Sequence, residues 1–348
     1  MTTFPPTALT ASGWARRSLA LLACAAAWLL AGCASLPDQP PRPPSQALQE
    51  WASTPLAEQA AKRAPVGADT LSGFHLLVSA ADSLSARLEL IRRAEKSIDA
   101  QYYLIQGDAT GRAFLRALRD AGQRGVRVRL LIDDLYTAGE EPLLRGLCAT
   151  PNVEVRLFNP LPARGIGIVS RHLLSLTSLK RTSRRMHNKL FIADNAASVS
   201  GGRNVADAYF MRQPLANFVD LDILAVGPAV REQSEVFDRF WNSQEAYDAM
   251  LLIGAGAGPA AARDEFERLT SAPAEIAATS GAPSVIDGVF SGSRTLDWAP
   301  ARILADDPVK AEGKGRVKPA DTLVAERPVA MPAITLDSHA EHPPRDGL

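Results

Sequence analysis

The sequence predicts an α/β sandwich in which helices flank a mixed, mostly parallel sheet. First, the chain has 348 residues, 46% hydrophobic and 22% charged, which is enough to bury one large core or two modest ones. Second, segments with strand periodicity alternate with segments of helical periodicity between residues 83 and 242. Third, Gly125 follows a helical segment and Pro228 begins another, as glycine and proline commonly do at helix ends.

The predicted elements follow one another in a regular order. Leu84, Leu88 and Ile91 have helical spacing and predict a helix over 83–94, whereas residues 97–105 alternate as a strand. The other predicted helices span 111–123, 140–148 and 228–242, and the other predicted strands span 126–132, 153–158, 190–193, 197–200 and 221–226. Strands that alternate with helices in this way favour parallel pairing.

The amino terminus has the features of an exported lipoprotein. Arg16 and Arg17 precede an apolar run over 19–31, which is shorter than the roughly 20 residues of a membrane-spanning helix and predicts a signal peptide over 1–32. The run ends in Leu-Ala-Gly-Cys at 30–33, which resembles a bacterial lipobox, so Cys33 is expected to become the lipidated first residue. We therefore expect a lipid-anchored protein of the cell envelope, facing the periplasm, with the outer membrane preferred because Ala34 follows the cysteine. A buried helix with an ordinary cysteine is the alternative.

The rest of the chain divides by composition. Residues 33–70 are Pro-rich and predict an extended tether, and order is expected to begin near Gly73. Residues 71–250 form the main predicted domain, 251–312 a partly irregular remainder, and 313–348 a disordered tail. With Cys24 removed and Cys33 lipidated, Cys148 cannot form a disulfide within the chain, and its apolar surroundings favour a buried small residue over a nucleophile.

The charge of the chain is balanced overall but uneven along the sequence. Lys plus Arg and Asp plus Glu each number 38, so no overall field attracts nucleic acid, and we expect none as a partner. The interval 156–189 nevertheless contains six further basic residues between its ends and no acidic residue. It predicts either a solvated surface loop or a basic rim that attracts phosphate-bearing substrates, beside an apolar stretch over 166–179 that could enter a lipid interface.

The candidate chemistry lies in the segment that begins at His187. His187 and Lys189 are two residues apart on a predicted strand, so their side chains point into the same space. The imidazole can displace an alcohol from a phosphodiester to give a phosphohistidine, while the ammonium neutralises charge on the phosphoryl oxygens without a metal ion. Asp194 completes a His-x-Lys-x4-Asp pattern, and we expect no cofactor.

Two further residues complete the predicted site. Asn204 follows the glycine pair at 201–202, which lets the backbone approach closely, and its amide is expected to donate a hydrogen bond to the phosphate. Asp220, on the next predicted strand, is expected to fix the tautomer of His187. Asp222 shares its face and is the reserve choice for that role. The predicted catalytic set is therefore His187, Lys189, Asp194, Asn204 and Asp220.

These motifs resemble the phospholipase D superfamily, in particular its bacterial cardiolipin synthase C branch. The similar segments are 72–74, 97–103, 125–134, 184–189, 237–242, 298–302 and 306–310, so the resemblance covers about 72–310 and corresponds to the amino-terminal half of such proteins. It implies a phospholipase D-like sandwich and ping-pong transfer of a phosphatidyl group from one phospholipid to another. Two departures are Gly202, where many members have Ser, and residues 104–106, which replace a more aromatic stretch.

The resemblance also implies two such motifs, one supplying the nucleophile and the other the general acid. No second His-x-Lys occurs, because none of the other histidines of the mature chain has Lys two residues on: His75, His172, His339 and His342. His339 and His342 have the spacing of a metal-binding pair, but their predicted disordered tail argues against a metal site.

Three functions are therefore open. The leading hypothesis is a phosphatidyltransferase that acts on phospholipids and obtains its second motif from another chain, for example as a homodimer. The alternatives are a truncated, non-catalytic half-domain that binds phosphate-bearing lipid, and a homodimeric nuclease. The change of composition near residue 310 is what a truncated or frameshifted longer gene would produce, whereas neutral charge and lipidation count against the nuclease.

Overall fold

A computed structural model of the chain describes residues 36–161, 184–271 and 284–309, together with the backbone of 334–335. The predicted signal peptide, Cys33, the apolar stretch 166–179 and most of the predicted tail lie outside the described residues. Within them, no helix combines the length and the apolar character needed to cross a bilayer.

A single sheet of nine strands forms the centre of the molecule. The strand order is β8-β4-β3-β2-β5-β6-β7-β1-β9. Their bounds are Ser72–Leu77 (β1), Ser97–Tyr102 (β2), Arg127–Asp133 (β3), Val153–Phe158 (β4), Leu190–Ala193 (β5), Ala197–Gly201 (β6), Asp222–Val226 (β7), Ala246–Asp248 (β8) and Asp297–Ala299 (β9). A separate pair joins β10 (Ile303–Leu304) to β11 (Ile334–Thr335).

The α/β class and the mixed sheet are confirmed, but parallel pairing is less extensive than predicted. Among the described strands of the large sheet it is confined to β2 with β3 and β3 with β4, and the other pairs are antiparallel. The reason is the length of the connections. Strands β5 and β6 are separated by only residues 194–196, whereas a parallel crossover needs about a dozen residues or more. Helical segments therefore separate β2, β3 and β4, and a tight turn forces β5 and β6 to run antiparallel.

Eight helices flank the sheet in the described residues. Their bounds are Pro55–Arg63 (α1), Ala80–Arg93 (α2), Ala109–Gln123 (α3), Glu141–Cys148 (α4), Pro228–Trp241 (α5), Ala249–Ile253 (α6), Pro259–Thr270 (α7) and Val285–Ser291 (α8). One face of the sheet packs on α2, α3 and α4 through residues such as Leu90, Phe114 and Leu147. The other face packs on α5 through Phe237 and Trp241. Burial of these large side chains, at about 25 cal/mol per Å², is the main stabilising term.

Local sequence signals explain where the helices begin. The side chain of Ser79 accepts a hydrogen bond from the backbone N–H of Asp82 at 3.3 Å, and that of Asp108 accepts one from Gly111 at 3.0 Å. Both are N-caps, which satisfy backbone donors that have no partner inside the helix. They start α2 and α3 a few residues before the predicted bounds.

The prediction of an extended tether up to residue 70 requires correction. Residues 36–50 lie along α5, where the backbone N–H of Ala47 donates to Asp238 at 2.8 Å and that of Ser45 donates to Asn242 at 2.9 Å. Arg129 donates to the carbonyl of Ser45 at 3.0 Å. Helix α1 then buries Leu56 in the core. A proline residue lacks an N–H but keeps a carbonyl that can accept hydrogen bonds. Side chains of the domain can therefore still fix this Pro-rich segment, residues 36–50, which we call the strap. The ordered domain thus begins well before Gly73.

Candidate active site

The residues of the candidate site gather at one edge of the sheet. Strands β2, β3 and β4 end there, and β5 and β7 begin there, as the register of each pair requires. His187 and Lys189 immediately precede β5. Because chain connections leave the sheet at this edge, side chains from several strands can meet without breaking the hydrogen-bonded ladder.

His187 and Lys189 meet the same neighbour, the ring of Tyr103. The ring centroids of His187 and Tyr103 are 4.8 Å apart, and the Nζ atom of Lys189 lies 5.6 Å from the Tyr103 centroid. Lys189 also donates to the backbone carbonyl of His187 at 2.7 Å. Lys189 is only 4% exposed, whereas His187 is half-buried. The ammonium is therefore held in place beside an imidazole that solvent or a substrate can reach.

Tyr103 is not among the residues predicted for the site. Its ring also contacts Tyr136 edge-on at 5.3 Å between centroids. Burial, together with a hydrogen bond that Tyr103 donates to Tyr136, raises the pKa of Tyr103 well above its ordinary value, so the phenol stays neutral. The available signal was a pair of tyrosines ending a buried strand just before a break in periodicity.

An ion pair positions the segment that leads to His187. Arg185 donates to the Asp133 carboxylate from Nε at 2.8 Å, and the backbone N–H of Met186 donates to the same carboxylate at 2.9 Å. Burial raises the pKa of Asp133 even though Arg185 opposes that rise. Arg185 also donates to the carbonyl of Asn159 at 3.0 Å. The end of β3 thus fixes the backbone next to His187.

Asn204 lies at the same edge, beside the end of β2. Its Oδ1 atom accepts from the backbone N–H of Leu104 at 3.1 Å, which places it one residue from Tyr103. Its Nδ2 atom is buried and has no hydrogen-bond partner within the described part of the chain. An unsatisfied buried donor is costly, at about 1–3 kcal/mol, and one beside a candidate phosphate site suits an incoming oxygen.

Asp220 lies at this edge too, next to the glycine pair. A Cβ atom on Gly202 would collide with the carboxylate of Asp220, so glycine at 202 leaves room for this acid where serine would displace it. The Asp220 carboxylate accepts the backbone N–H of Leu221 at 2.9 Å. Asp220 remains the candidate partner for the imidazole.

Asp222, the second candidate for fixing the tautomer of His187, forms its contacts in the core. Its carboxylate pairs with Arg87 at 3.0 Å and Arg203 at 3.4 Å, and it accepts a hydrogen bond from Ser83. Burial alone would raise the pKa of Asp222, but the Arg87 guanidinium outweighs that effect and holds the pKa below its usual range. This carboxylate joins β7 to α2 and has no capacity left to orient an imidazole.

Asp194 lies at the opposite end of β5 and is not brought together with His187. Its carboxylate is fully buried and accepts three backbone N–H bonds, from Glu95 at 3.0 Å, Lys96 at 2.8 Å and Ser97 at 2.9 Å. Asp194 has a φ of 51°, in the left-handed region that Asp tolerates better than most residues. In the structure it therefore ties the β5–β6 turn to the start of β2.

Cys148 closes α4 away from this edge. Burial raises the pKa of its thiol to about 12, so almost none is thiolate at neutral pH. That environment matches the expectation of an unreactive residue.

The fold and the site define a class: an α/β half-domain that presents His-x-Lys at a sheet edge. A family model described as "Cardiolipin synthase, PLD-like domain" matches residues 88–241. Cardiolipin synthase C of Escherichia coli is 38% identical over 248 residues, 70% of this chain and 51% of that protein. Cardiolipin synthase A of Pseudomonas syringae is 27% identical over 59% of this chain and 40% of that protein. Among solved structures, NucT from Helicobacter pylori has a TM-score of 0.36 at 16% identity, over 51% of this chain and 98% of that chain.

The chain belongs to the phospholipase D superfamily and is similar to the cardiolipin synthases. It spans about half the length of cardiolipin synthase C and less of cardiolipin synthase A.

Proposed function

We propose that the protein is a phosphatidyltransferase that acts on the phosphodiester bonds of phospholipids through a phosphohistidine at His187. The observation that carries the proposal is the contact of His187 and Lys189 with one tyrosine ring, just beyond the end of β2. Similarity to cardiolipin synthases supports a lipid substrate.

The proposed reaction has two displacements. An imidazole nitrogen of His187 attacks phosphorus, a P–N bond forms, the P–O bond to the departing alcohol breaks, and an acid protonates that alcohol. A hydroxyl of the acceptor phospholipid then attacks the same phosphorus, the P–N bond breaks, and the hydroxyl proton passes to a base. Lys189 and Asn204 stabilise the nonbridging oxygens, and Asp220 holds the tautomer of His187.

The acid on the far side of phosphorus is proposed to come from a second motif. The sequence has one His-x-Lys, and in-line displacement requires the acid and the nucleophile on opposite sides. We propose that another chain supplies it, either a second copy or a different protein with the same motif.

The test is turnover of a labelled phospholipid in vesicles by purified full-length protein. His187→Ala is expected to reduce formation of the transfer product by at least about 10⁴-fold. His75→Ala is the matched control, because His75 lies in β1, three strands across the sheet from β5, and its ring bonds only to the carbonyl of Thr295 at 3.0 Å among the contacts described. Equal product from wild type and His187→Ala would remove His187 from the mechanism.

A non-catalytic lipid-binding half-domain is the second candidate, favoured by the single motif. Light scattering separates the two. A strict monomer that binds phospholipid but turns none over supports the second candidate, whereas activity that rises with dimer content supports the first. Cleavage of DNA in chelator, absent from His187→Ala, would instead indicate a nuclease.

We further propose a lipid anchor at Cys33 in the cell envelope, with the outer membrane preferred. Its support is the sequence alone: basic residues, an apolar run and Leu-Ala-Gly-Cys in that order. Mass spectrometry of the mature amino terminus would show an acylated Cys33, and an unmodified Met1 would contradict the proposal.

A further inference from the structure

Exposed apolar side chains are concentrated beside the candidate site. The described residues include ten exposed large hydrophobic side chains, six of which lie together on a turn and the strand end next to it. We call these six the apolar ridge: Val78, Met211, Leu215, Phe218, Val219 and Leu221. Leu215 is 97% exposed and Val219 is 91% exposed, so the tip of the turn stands clear of the domain. Concentrated exposure of this kind marks an interaction surface rather than the usual scatter.

The ridge is close to the phosphate-handling residues. Gly201 donates to the carbonyl of Lys189 at 3.4 Å, and Gly202 donates to the carbonyl of Leu221 at 3.0 Å. Leu221 is therefore two strands across the sheet from Lys189, a separation of about 10 Å at the usual spacing of strands. Val78 joins the ridge because Leu77 pairs with Asp222 in the antiparallel β1–β7 ladder.

The turn that carries the ridge is held by its own contacts. Tyr209 stacks on Phe218 at 4.7 Å between centroids, and Phe218 donates to the carbonyl of Ala208 at 2.9 Å. Asn217 accepts from Gln213 at 3.0 Å and donates back to its carbonyl at 2.8 Å. At its base, Arg203 donates to the carbonyls of Leu77 and Val78 at 3.0 and 2.8 Å. Exposure of the ridge is thus a property of an ordered turn.

The charge of the turn fits an anionic lipid surface. Residues 211–221 contain two charged side chains: Arg212 is exposed and forms no salt bridge within the described residues, whereas Asp220 is half-buried at the end of the turn next to the candidate site. Apolar tips combined with a free cation suit the boundary between acyl chains and anionic head groups, where the tips enter the hydrocarbon and the cation stays among phosphates.

We propose that the apolar ridge inserts into the surface of an anionic phospholipid bilayer and so sets the candidate site against the head-group layer. This proposal rests on the proposed function, because a lipid substrate is what places a bilayer beside His187. It assigns the ridge the task of bringing phosphodiesters within reach of the site.

The test uses the full chain in vesicles of phosphatidylglycerol and phosphatidylethanolamine with brominated acyl chains, which quench nearby tryptophan. Leu215→Trp and Val219→Trp place a probe on the ridge, and Val66→Trp is the matched control, since Val66 is fully exposed elsewhere. After subtraction of the parent signal, ridge tryptophans are expected to show at least about threefold more quenching than the control. Equal quenching at 215 and 66 overturns the proposal. So does a probe at 215 that vesicles leave unquenched but that is shielded from aqueous acrylamide, because a second copy would then cover the ridge.

Activity separates this proposal from the proposed chemistry. The double variant Leu215→Glu with Val219→Glu is expected to reduce turnover of vesicle phospholipid on the order of tenfold, against no change for Val66→Glu. Quenching is also measured in His187→Ala. Quenching without turnover in every variant leaves the ridge proposal standing and removes a phosphatidyltransferase assembled from copies of this chain, whereas turnover with equal quenching at 215 and 66 does the reverse.

Discussion

The two ends of strand β5 hold different parts of one short motif, and their surroundings differ. At the start, His187 is half-buried and Lys189 lies beside it against Tyr103. At the far end, Asp194 is fully buried and its carboxylate accepts three backbone N–H bonds. At one end an imidazole and an ammonium contact the same tyrosine ring, and at the other a carboxylate joins a turn to a neighbouring strand. A motif of three residues can therefore specify a site and the anchor that positions it.

The largest predicted effect is the loss of activity when Lys189, at the start of β5, is substituted. Lys189→Ala should reduce vesicle turnover by about 10²–10³-fold, equivalent to about 2.7–4 kcal/mol of transition-state stabilisation. The melting temperature should change little, because the ammonium makes its described contacts within the site. A loss of activity matched by a loss of folded protein would assign Lys189 to the fold instead.

Substitution of Asp194, at the far end of β5, should lower stability and leave activity nearly unchanged. Asp194→Ala removes the acceptor of three buried backbone donors and is expected to lower the free energy of unfolding by about 2–4 kcal/mol, measured by urea denaturation. Asp194→Asn, which keeps one oxygen acceptor, should lose less. Turnover per folded molecule should stay within about threefold of wild type, and a far larger fall with unchanged stability would place Asp194 in the chemistry.

Substitutions of Tyr103 test whether activity depends on the packing of His187 and Lys189 against its ring. Tyr103→Leu should reduce turnover by about tenfold, because the ring that holds both His187 and Lys189 is lost, while Tyr103→Phe keeps the ring and should restore most activity. The pH profile of turnover should shift in Tyr103→Leu and not in Tyr103→Phe. Identical profiles and rates for both variants would exclude a positioning role.

The smallest expected effect concerns acid stability. The pKa of Asp222 is held below its usual range, so its contribution to stability is present above the unfolded-state pKa and is lost as pH falls through the folded-state pKa. Wild type should therefore lose stability below about pH 4, and Asp222→Asn, already less stable at pH 7, should have a flatter acid limb in urea titrations. Equal acid slopes for the two proteins would contradict the described pairing with Arg87.

Periodicity predicted the elements that carry the site. Strands β4 and β5 have the predicted bounds because their apolar runs end at sharp breaks. The sequence did not reveal the direction of pairing, since the parallel prediction followed from alternation and the turn at 194–196 decided otherwise. The strap over 36–50 was missed for a different reason. Its proline content suggests an extended chain, but its fixation depends on Asp238 and Arg129, which are remote in sequence.

The residues of the candidate site also divide into those that the sequence indicated and those that it did not. Spacing alone predicted that His187 and Lys189 share one side of the chain. The glycine pair was predicted to let the backbone approach the phosphate, whereas in the structure it is the Asp220 carboxylate that lies close to Gly202. Spacing could not distinguish Asp194, whose role depends on backbone donors about 100 positions away, nor Asp222, whose partner Arg87 is still more remote in sequence. Tyr103 acts through ring contacts that only the assembled edge reveals.

The most direct test of the account is to isolate the covalent intermediate. Purified protein would be mixed with phospholipid, quenched with denaturant at mildly alkaline pH to preserve a P–N bond and the acyl esters, digested, and analysed by mass spectrometry. We expect a phosphatidyl adduct on the peptide that contains His187, absent from His187→Ala and present in Asp194→Asn. Product formation with no adduct at His187, or an adduct on another residue, would contradict the central claim.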